Sequence, residues 1–378
     1  MKPARSHDWK APDASVPRAL RIAAGFACAM VIGAAHGSPD GDPLTFSHAD
    51  WELACDNTGT CRAAGYQQND GDSLPVSVLL TRAAGAGTLV RAEVALGEDW
   101  APDVALNTPA KVELRIDGRR HGNIAIGKDD RTGTLDAAQV KALLAALRRD
   151  SRIEFHAVGA ETVWTLSDAG ASAVLLKMDD AQGRVGTVGA LHRKGTRDES
   201  AVPAARAKPV VRAVGAVSAR RGDDTFATRH DAALRASLRQ TDPEQDCMDL
   251  HEPERDGSED ADALEVHRLD ADRLLVSTRC WLAAYNSGSG YWVVEDTPPF
   301  RATLVTAHAN GLEIDHRLVE ISAAHKGRGL GDCWGREVWT WDGARFVHTY
   351  SGSHGMCRGF VGGAWELPGV VTDVVKVK

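Results

Sequence analysis

The pattern of apolar and polar residues predicts mostly strands from Phe46 to about Gly195. "WELAC" and "CRAAGYQ" flank an opening turn, "PVSVLLTR" and "TLVRAEVAL" are dense in Val and Leu, "AKVELRIDGRRHGNIAI" alternates apolar and polar, and "RIEFHAV" and "TVWTL" return to strand after a helical stretch. Asp117-Gly118 divides one alternating run in two, the composition of a type I′ hairpin turn. Two stretches change to a helical period. In "LDAAQVKALLAALRRDSR", Leu135, Val140, Leu143, Leu144 and Leu147 form the apolar set, with Asp136 in the first turn and Arg148 and Arg149 in the last. "SDAGASAVLLKMDDAQGR" predicts a second helix, capped by Ser167 or Asp168 and stopped by a left-handed Gly183.

Beyond residue 228 a helical "TRHDAALRASLRQ" gives way to further strands. These are "ALEVHRLDADRLLVSTRCW", "GYWVVED", "FRATLVTA", "GLEIDHRLVEIS" and "REVWTWDGARFVHTYS", the last with a tight-turn signal at Asp342-Gly343. Residues 196–227 lack a clear period, are rich in Ala, Pro and Arg, and carry Arg206, Lys208, Arg212, Arg220 and Arg221. They are expected to form a linker whose cations lie against acidic domain faces. Strands and crossover helices do not alternate, which argues against a doubly wound parallel sheet. The expected fold class is mainly β with some α (α+β): two antiparallel β-rich domains, 38–195 and 228–378, joined by the basic Ala/Pro linker. A chain of 378 residues is long enough for two cores.

The first 37 residues read as an export signal. A basic start with Lys2, Arg5, Lys10, Arg18 and Arg21 precedes the apolar "IAAGFACAMVIGAA", too short for a membrane span, with cleavage expected near Gly37–Ser38. Cys28 suggests a lipoprotein, but Gly25 and Phe26 depart from a lipobox and the apolar run continues past the cysteine. Removing five basic and two acidic residues leaves 39 Lys and Arg (44 − 5) against 50 Asp and Glu (52 − 2), a net charge of −11. That balance argues against nucleic acid and anionic membranes as partners. The product is expected to be periplasmic or secreted, without stable membrane insertion.

Six cysteines then remain: Cys55, Cys61, Cys247, Cys280, Cys333 and Cys357. An even number in an exported chain points to disulfides, and six cysteines leave fifteen pairings open. Sequence order suggests 55–61, 247–280 and 333–357. In "CDNTGTC" the filler forms turns, no second ligand pair lies nearby and C-x-x-C is absent, so a hairpin stitch is expected over a zinc or redox site.

At "DWELACDNTGTCRAAGYQ" the chain resembles an exported bacterial family catalogued as domain of unknown function 1176. "GASAVLLKMDDAQGRVGTVGALHRKG", "CWLAAYNSG" and "KGRGLGDCWGREVWTWDGARF" running on to "MCRG" carry the same resemblance in order along the chain. Ala283-Ala284 stand where the family pattern has Gly-Ala before "YN". The first half also resembles the invasion-associated locus B proteins, small exported β domains. The family resemblance implies export and no catalytic residue.

The strongest candidate for binding is "KGRGLGDC", where Gly327, Gly329 and Gly331 alternate behind Lys326 and Arg328, next to Asp332 and Trp334. A glycine-rich backbone can aim amides at an anion, but neither a GK[ST] end nor a following helix is present. Trp281, Tyr285, Tyr291, Trp292, Trp334, Trp339 and Trp341 could form a carbohydrate platform or fill a small β core. The expected binding surface is Trp281, Tyr285, Asn286, Lys326, Arg328, Asp332 and Trp334. The histidines show no ligand spacing, the acidic run after Arg255 lacks calcium-loop spacing, and no G-x-S-x-G occurs. The expected role is therefore non-catalytic binding of an envelope ligand or protein, with no cofactor and no metal. The competing readings are a hydrolase or inhibitor acting on envelope polymers, and a structural spacer.

Overall fold

The computed structural model describes residues 43–97, 109–242, 245–252 and 263–376. The stretch expected to be an export signal, residues 1–37 with Cys28, lies outside the described residues, as do Asp256, Glu259, Asp260 and Asp262 of the acidic run. The described chain is mostly β, with several antiparallel sheets and four helices.

The N-terminal half opens with β1 (Leu44–His48), β2 (Trp51–Cys55), β3 (Cys61–Tyr66), β4 (Val76–Arg82) and β5 (Arg91–Leu96), an antiparallel meander. The hairpin of β6 (Lys111–Ile116) and β7 (Arg119–Ala125) turns on Asp117 and Gly118, at φ 50° and 77° as a type I′ turn requires. Short β8 (Thr132–Thr134) pairs with β5 and ends the first sheet. After α1 (Ala137–Ala146), strands β9 (Ile153–Ala157) and β10 (Val163–Leu166) join the hairpin in a second sheet of order β10-β9-β6-β7. Helix α2 (Ala171–Ala181) follows, and Trp51, Leu80, Leu114, Phe155, Trp164 and Leu175 meet in one core.

Helix starts show where local chemistry wins. Asp136 caps α1 in a capping box, accepting the Gln139 amide while the Gln139 side chain accepts the Asp136 amide. Neither Ser167 nor Asp168 caps α2. Ser167 Oγ accepts the Ala169 amide and Asp168 accepts the Ser151 amide, while Gly170 is the cap residue at φ 95°. A Cβ at Gly170 would lie 1.9 Å from the His48 carbonyl, so packing against β1 selects glycine here over a side-chain cap. The stop at Gly183 is left-handed as expected, φ 67°.

Within residues 196–227, β11 (Val210–Ala213) is a strand, Lys208 faces Asp373 at 3.5 Å and Arg220 faces Asp296 at 3.9 Å. Helices α3 (Phe226–Gln240) and α4 (Met248–His251) precede a sheet of β12 (Glu265–Arg268), β13 (Arg273–Leu282), β14 (Ser287–Glu295) and β15 (Ala302–Ala309). Next come β16 (Gly311–Ile314), β17 (Val319–Lys326), β18 (Trp334–Trp341), β19 (Phe346–Ser353) and β20 (Leu367–Val370) in a second sheet, and β21 (Asp373–Lys376) pairs in parallel with β11. Alternation along β13 and β14 sorts the faces. Leu274, Val276, Trp292 and Val294 pack with Leu234, Leu238 and Leu250 of the helices, while Leu275 and Tyr291 pack with Ile321, Trp339 and Trp341 of the opposite sheet. The β18–β19 turn is wider than Asp342-Gly343 suggested. Trp341 pairs with Phe346, leaving a four-residue loop in which Asp342 Oδ1 accepts the Ala344 and Arg345 amides.

The cysteines pair in sequence order, 55–61, 247–280 and 333–357. The first bond stitches β2 to β3 across the opening turn, with Cys55 and Cys61 directly opposite. The third anchors the segment after β19, which lies over the outer face of the first sheet. Phe360 and Leu367 pack there on Ala54, Ala64, Tyr66, Leu79 and Ala95, and Trp365 Nε1 donates to Ser77 Oγ at 2.7 Å. Beneath it, Glu52 accepts the Tyr66 hydroxyl (2.6 Å) and the Met356 amide (2.7 Å), and Arg358 pairs with Asp50 at 2.8 Å.

Both members of the Arg358–Asp50 pair are nearly buried, so truncating one strands the other's charge. Arg358→Ala should lower unfolding stability by about 3 kcal/mol in urea titrations. A loss under about 0.5 kcal/mol, the scale of an exposed pair, would show that this pair does not hold the segment down.

Candidate functional site

The loop end of the C-terminal sandwich gathers the residues singled out in the sequence. Strands β17 and β18 form a hairpin with Lys326 opposite Trp334, so residues 327–333 make its tip. The β13–β14 turn lies alongside. There Asn286 locks the two tips together, donating from Nδ2 to the Lys326 carbonyl (2.9 Å) and accepting the Lys326 amide (3.0 Å). The Lys326 ammonium sits over the Trp334 ring, 5.4 Å from its centroid, and Trp334 Nε1 donates to the Gly331 carbonyl. Gly327 packs so close to the third disulfide that a Cβ would lie 2.7 Å from Cys333 Sγ.

Asp332 decides what this loop can do. Its side chain is fully buried, and it accepts from Arg328 Nε at 2.7 Å, from Arg328 Nη2, and from the Gly359 amide at 2.7 Å. Burial alone would raise this carboxyl, but the guanidinium and the amide hold it below the usual range. The loop's cation and an inward amide are thus taken up by the protein's own carboxylate, in the place an external anion would occupy. Asp332, Cys333 and Cys357 present ligand atoms within 4.8 Å of one another, but both sulfurs belong to the disulfide.

Apart from Arg328, which is half exposed but paired with Asp332, the large exposed side chains here are apolar or aromatic. Leu282 (65% exposed) and Tyr285 (48%) stand on the β13–β14 turn, Leu330 (56%) on the hairpin tip, and Val361 (76%) on the segment after β19. Tyr285 packs beside Gly329, and the Gly362 amide donates to the Gly331 carbonyl, so the three loops form one crest. Trp281 lies half-buried behind it, its ring 5.3 Å from that of His325. Tyr291, Trp292, Trp339 and Trp341 are core residues, which removes the wider aromatic platform.

A row that residue spacing did not reveal runs inward from the crest. Glu337 shares the inward face of β18 with Trp339 and Trp341, and accepts from His308 (3.3 Å) and His348 (3.0 Å). Both hydrogen bonds hold its carboxyl down at about 2. His348 stacks on Trp339, with centroids 5.1 Å apart. His325 Nε2 donates to the His308 carbonyl (2.6 Å), so its buried Nδ1 is left as an acceptor without a partner among the described residues. Beside the row a cleft of about 610 Å³ opens between the sheets over Trp339, Phe346, Val293 and Val305, with Arg301 and Arg345 in its lining. The histidines come from three strands, so no linear spacing links them. The only trace in the sequence is Glu337 in step with Trp339 and Trp341, a charge on an apolar face.

A family model described as a protein of unknown function (DUF1176) matches residues 45–372. An uncharacterised protein of Escherichia coli (strain K12), YpfG, is 26% identical over 323 residues, 80% of this chain and 86% of that protein. The crystal structure of invasion associated protein b from Bartonella henselae aligns with 37% of this chain and 99% of its own, at 19% identity and a TM-score of 0.26, too low to bear on the fold.

The Glu337 carboxyl sits near 2 in the folded chain against 4.5 unperturbed, so its contribution is present above pH 4.5 and is lost as the pH falls towards about 2. Glu337→Gln should therefore flatten the decline of unfolding stability with acidification across that window. A decline parallel to that of the parent chain would show that His308 and His348 do not hold the carboxylate.

Proposed function

The chain belongs to the DUF1176 family of proteins of unknown function, and from that membership and the crest we propose that it is a non-catalytic binding protein working outside the cytoplasm. Three disulfides favour an oxidising compartment. Among the described residues no helix is long and apolar enough to cross a membrane. The carrying observation is the crest itself: Leu282, Tyr285, Leu330 and Val361 stand exposed on loops whose backbones are fixed by a disulfide, Asn286 and Asp332. Loops ordered in advance lose little entropy on association, and exposed apolar groups around a tyrosine supply a contact core. The partner is a protein of the cell envelope with a complementary apolar patch, and Lys326 adds one cation at the crest's edge.

One observation favours a hydrolase as the second reading. The Thr306 hydroxyl lies 3.1 Å from His308 Nδ1, and His308 Nε2 meets Glu337, the connectivity of a nucleophile, base and acid. Thr306 is only 5% exposed, however, so its hydroxyl is walled off from a polymer substrate. The contact orients His308 instead.

The full-length chain, cross-linked in an envelope fraction, should capture partner proteins that Leu330→Asp and Tyr285→Ala each lose by about tenfold or more, the scale of an interface anchor. Capture unchanged in both variants would overturn the crest as the binding surface. Hydrolysis of an envelope polymer that Thr306→Val abolishes would establish the second reading in its place.

A further inference from the structure

We infer that the N-terminal half carries a separate site for a single-chain amphiphile with an anionic headgroup, between α1 and the segments 88–90 and 189–194. A cavity of about 390 Å³ lies there, within the usual size of small-ligand sites. Its walls are Leu89, Val90, Val140, Leu144 and Leu191. A neighbouring cavity of about 640 Å³ shares Leu89, Val90, Ala137 and Val140, so the apolar floor continues past Leu89. Leu89 itself is 84% exposed, an exposure that a soluble chain seldom gives a leucine bordering a cavity.

Charge identifies the headgroup. Lys141, Leu144 and Ala145 share one stripe of α1, Arg148 follows in the turn just past the helix end, and all four line the cavity. Lys194 faces them from the opposite segment. Among the described residues none of these three cations has a carboxylate within ion-pair distance, and neither cavity has a carboxylate in its lining. Arg82, also in the wall, is already engaged by the Thr88 and Gly189 carbonyls. Three unpaired cations around an apolar cavity, in a chain where acidic residues outnumber basic ones 52 to 44, form a local reversal of charge. An acyl chain lies along the leucines while a carboxylate or phosphate meets Lys141, Arg148 and Lys194. This site uses none of the crest residues.

Calorimetric titration of the full-length chain, below micelle-forming concentrations, tests the assignment. Dodecanoate and dodecyl phosphate should bind at one site per chain, and dodecyltrimethylammonium, with the same tail and opposite charge, should not. The tighter of the two anions distinguishes a fatty acid from a phosphate-headed lipid as the source. Combined Lys141→Glu and Arg148→Glu substitution should weaken binding on the order of a hundredfold, about tenfold for each charged hydrogen bond lost. Circular dichroism and the melting temperature should stay at the parent's values, because both side chains are exposed. Leu330→Asp, at the crest, should leave the titration unchanged. No binding by the folded parent chain, equal binding of the cationic amphiphile, or indifference to the charge reversal would overturn the assignment.

Discussion

Asp332 is the constraint on which the presented surface depends. A carboxylate with no exposed area is tolerated only when its lone pairs are met. Two parts of the chain meet them: the Arg328 guanidinium from its own hairpin tip and the Gly359 amide from the segment beyond β19. The neighbouring Cys333–Cys357 bond joins the same two parts covalently. The disulfide limits how far they can separate, and the carboxylate fixes how they face each other. Arg328 is thereby engaged by the protein's own carboxylate, which explains why a loop with the composition of an anion cradle presents Leu330 to solvent, beside Tyr285 and Val361 of the neighbouring loops.

The same segment also links the two halves. Past Cys357 it lies across the first sheet, where the buried polar groups must again be matched. Burial raises the Glu52 carboxyl, opposed by bonds from the Tyr66 hydroxyl and the Met356 amide and by the Arg358 charge. Tyr66, sharing that burial and facing Glu52, is pushed well above its ordinary range. These groups are partnered across about 300 residues of sequence, so the contact is specific as well as apolar. The crest is consequently anchored at its far side to the N-terminal sheet through Phe360, the neighbour of Val361.

Charge is divided between the two candidate surfaces in opposite ways. At the crest, cation and carboxylate neutralise each other and apolar contact is what remains. At the α1 cavity the cations stay unpaired beside apolar walls, and complementarity to an anion follows. Between these extremes lies the Glu337 row, where a carboxylate kept ionised orients two imidazoles. Its three polar side chains are each partly exposed, and their mutual bonds together with the buried Thr306 beside His308 make it a fixed polar feature of the sandwich.

Local chemistry in the sequence determined much of the fold. Alternation marked the strands because one face of each is buried, Asp117-Gly118 specified a type I′ turn because both residues accept positive φ, and the capping box at Asp136 needed no distant partner. Sequence order also suggested the three disulfides, each of which closes a short loop. Of the expected surface, Tyr285, Lys326 and Trp334 do lie at one end of a sandwich, whereas Asn286 and Asp332, with Arg328 paired to the latter, hold the loops together. That difference could not be read locally, because whether a charge is free or satisfied depends on a partner such as Gly359, 27 residues away. Likewise "PVSVLLTR" read as a strand dense in Val and Leu, but only the tertiary structure decided that Leu79 lies under Phe360 and Leu367. The sequence determined period, turns, caps and cross-links, which are set within a few residues or by covalent chemistry. Tertiary structure decided which polar groups are satisfied, and so which surfaces remain to bind, because burial brings together groups that no linear spacing relates.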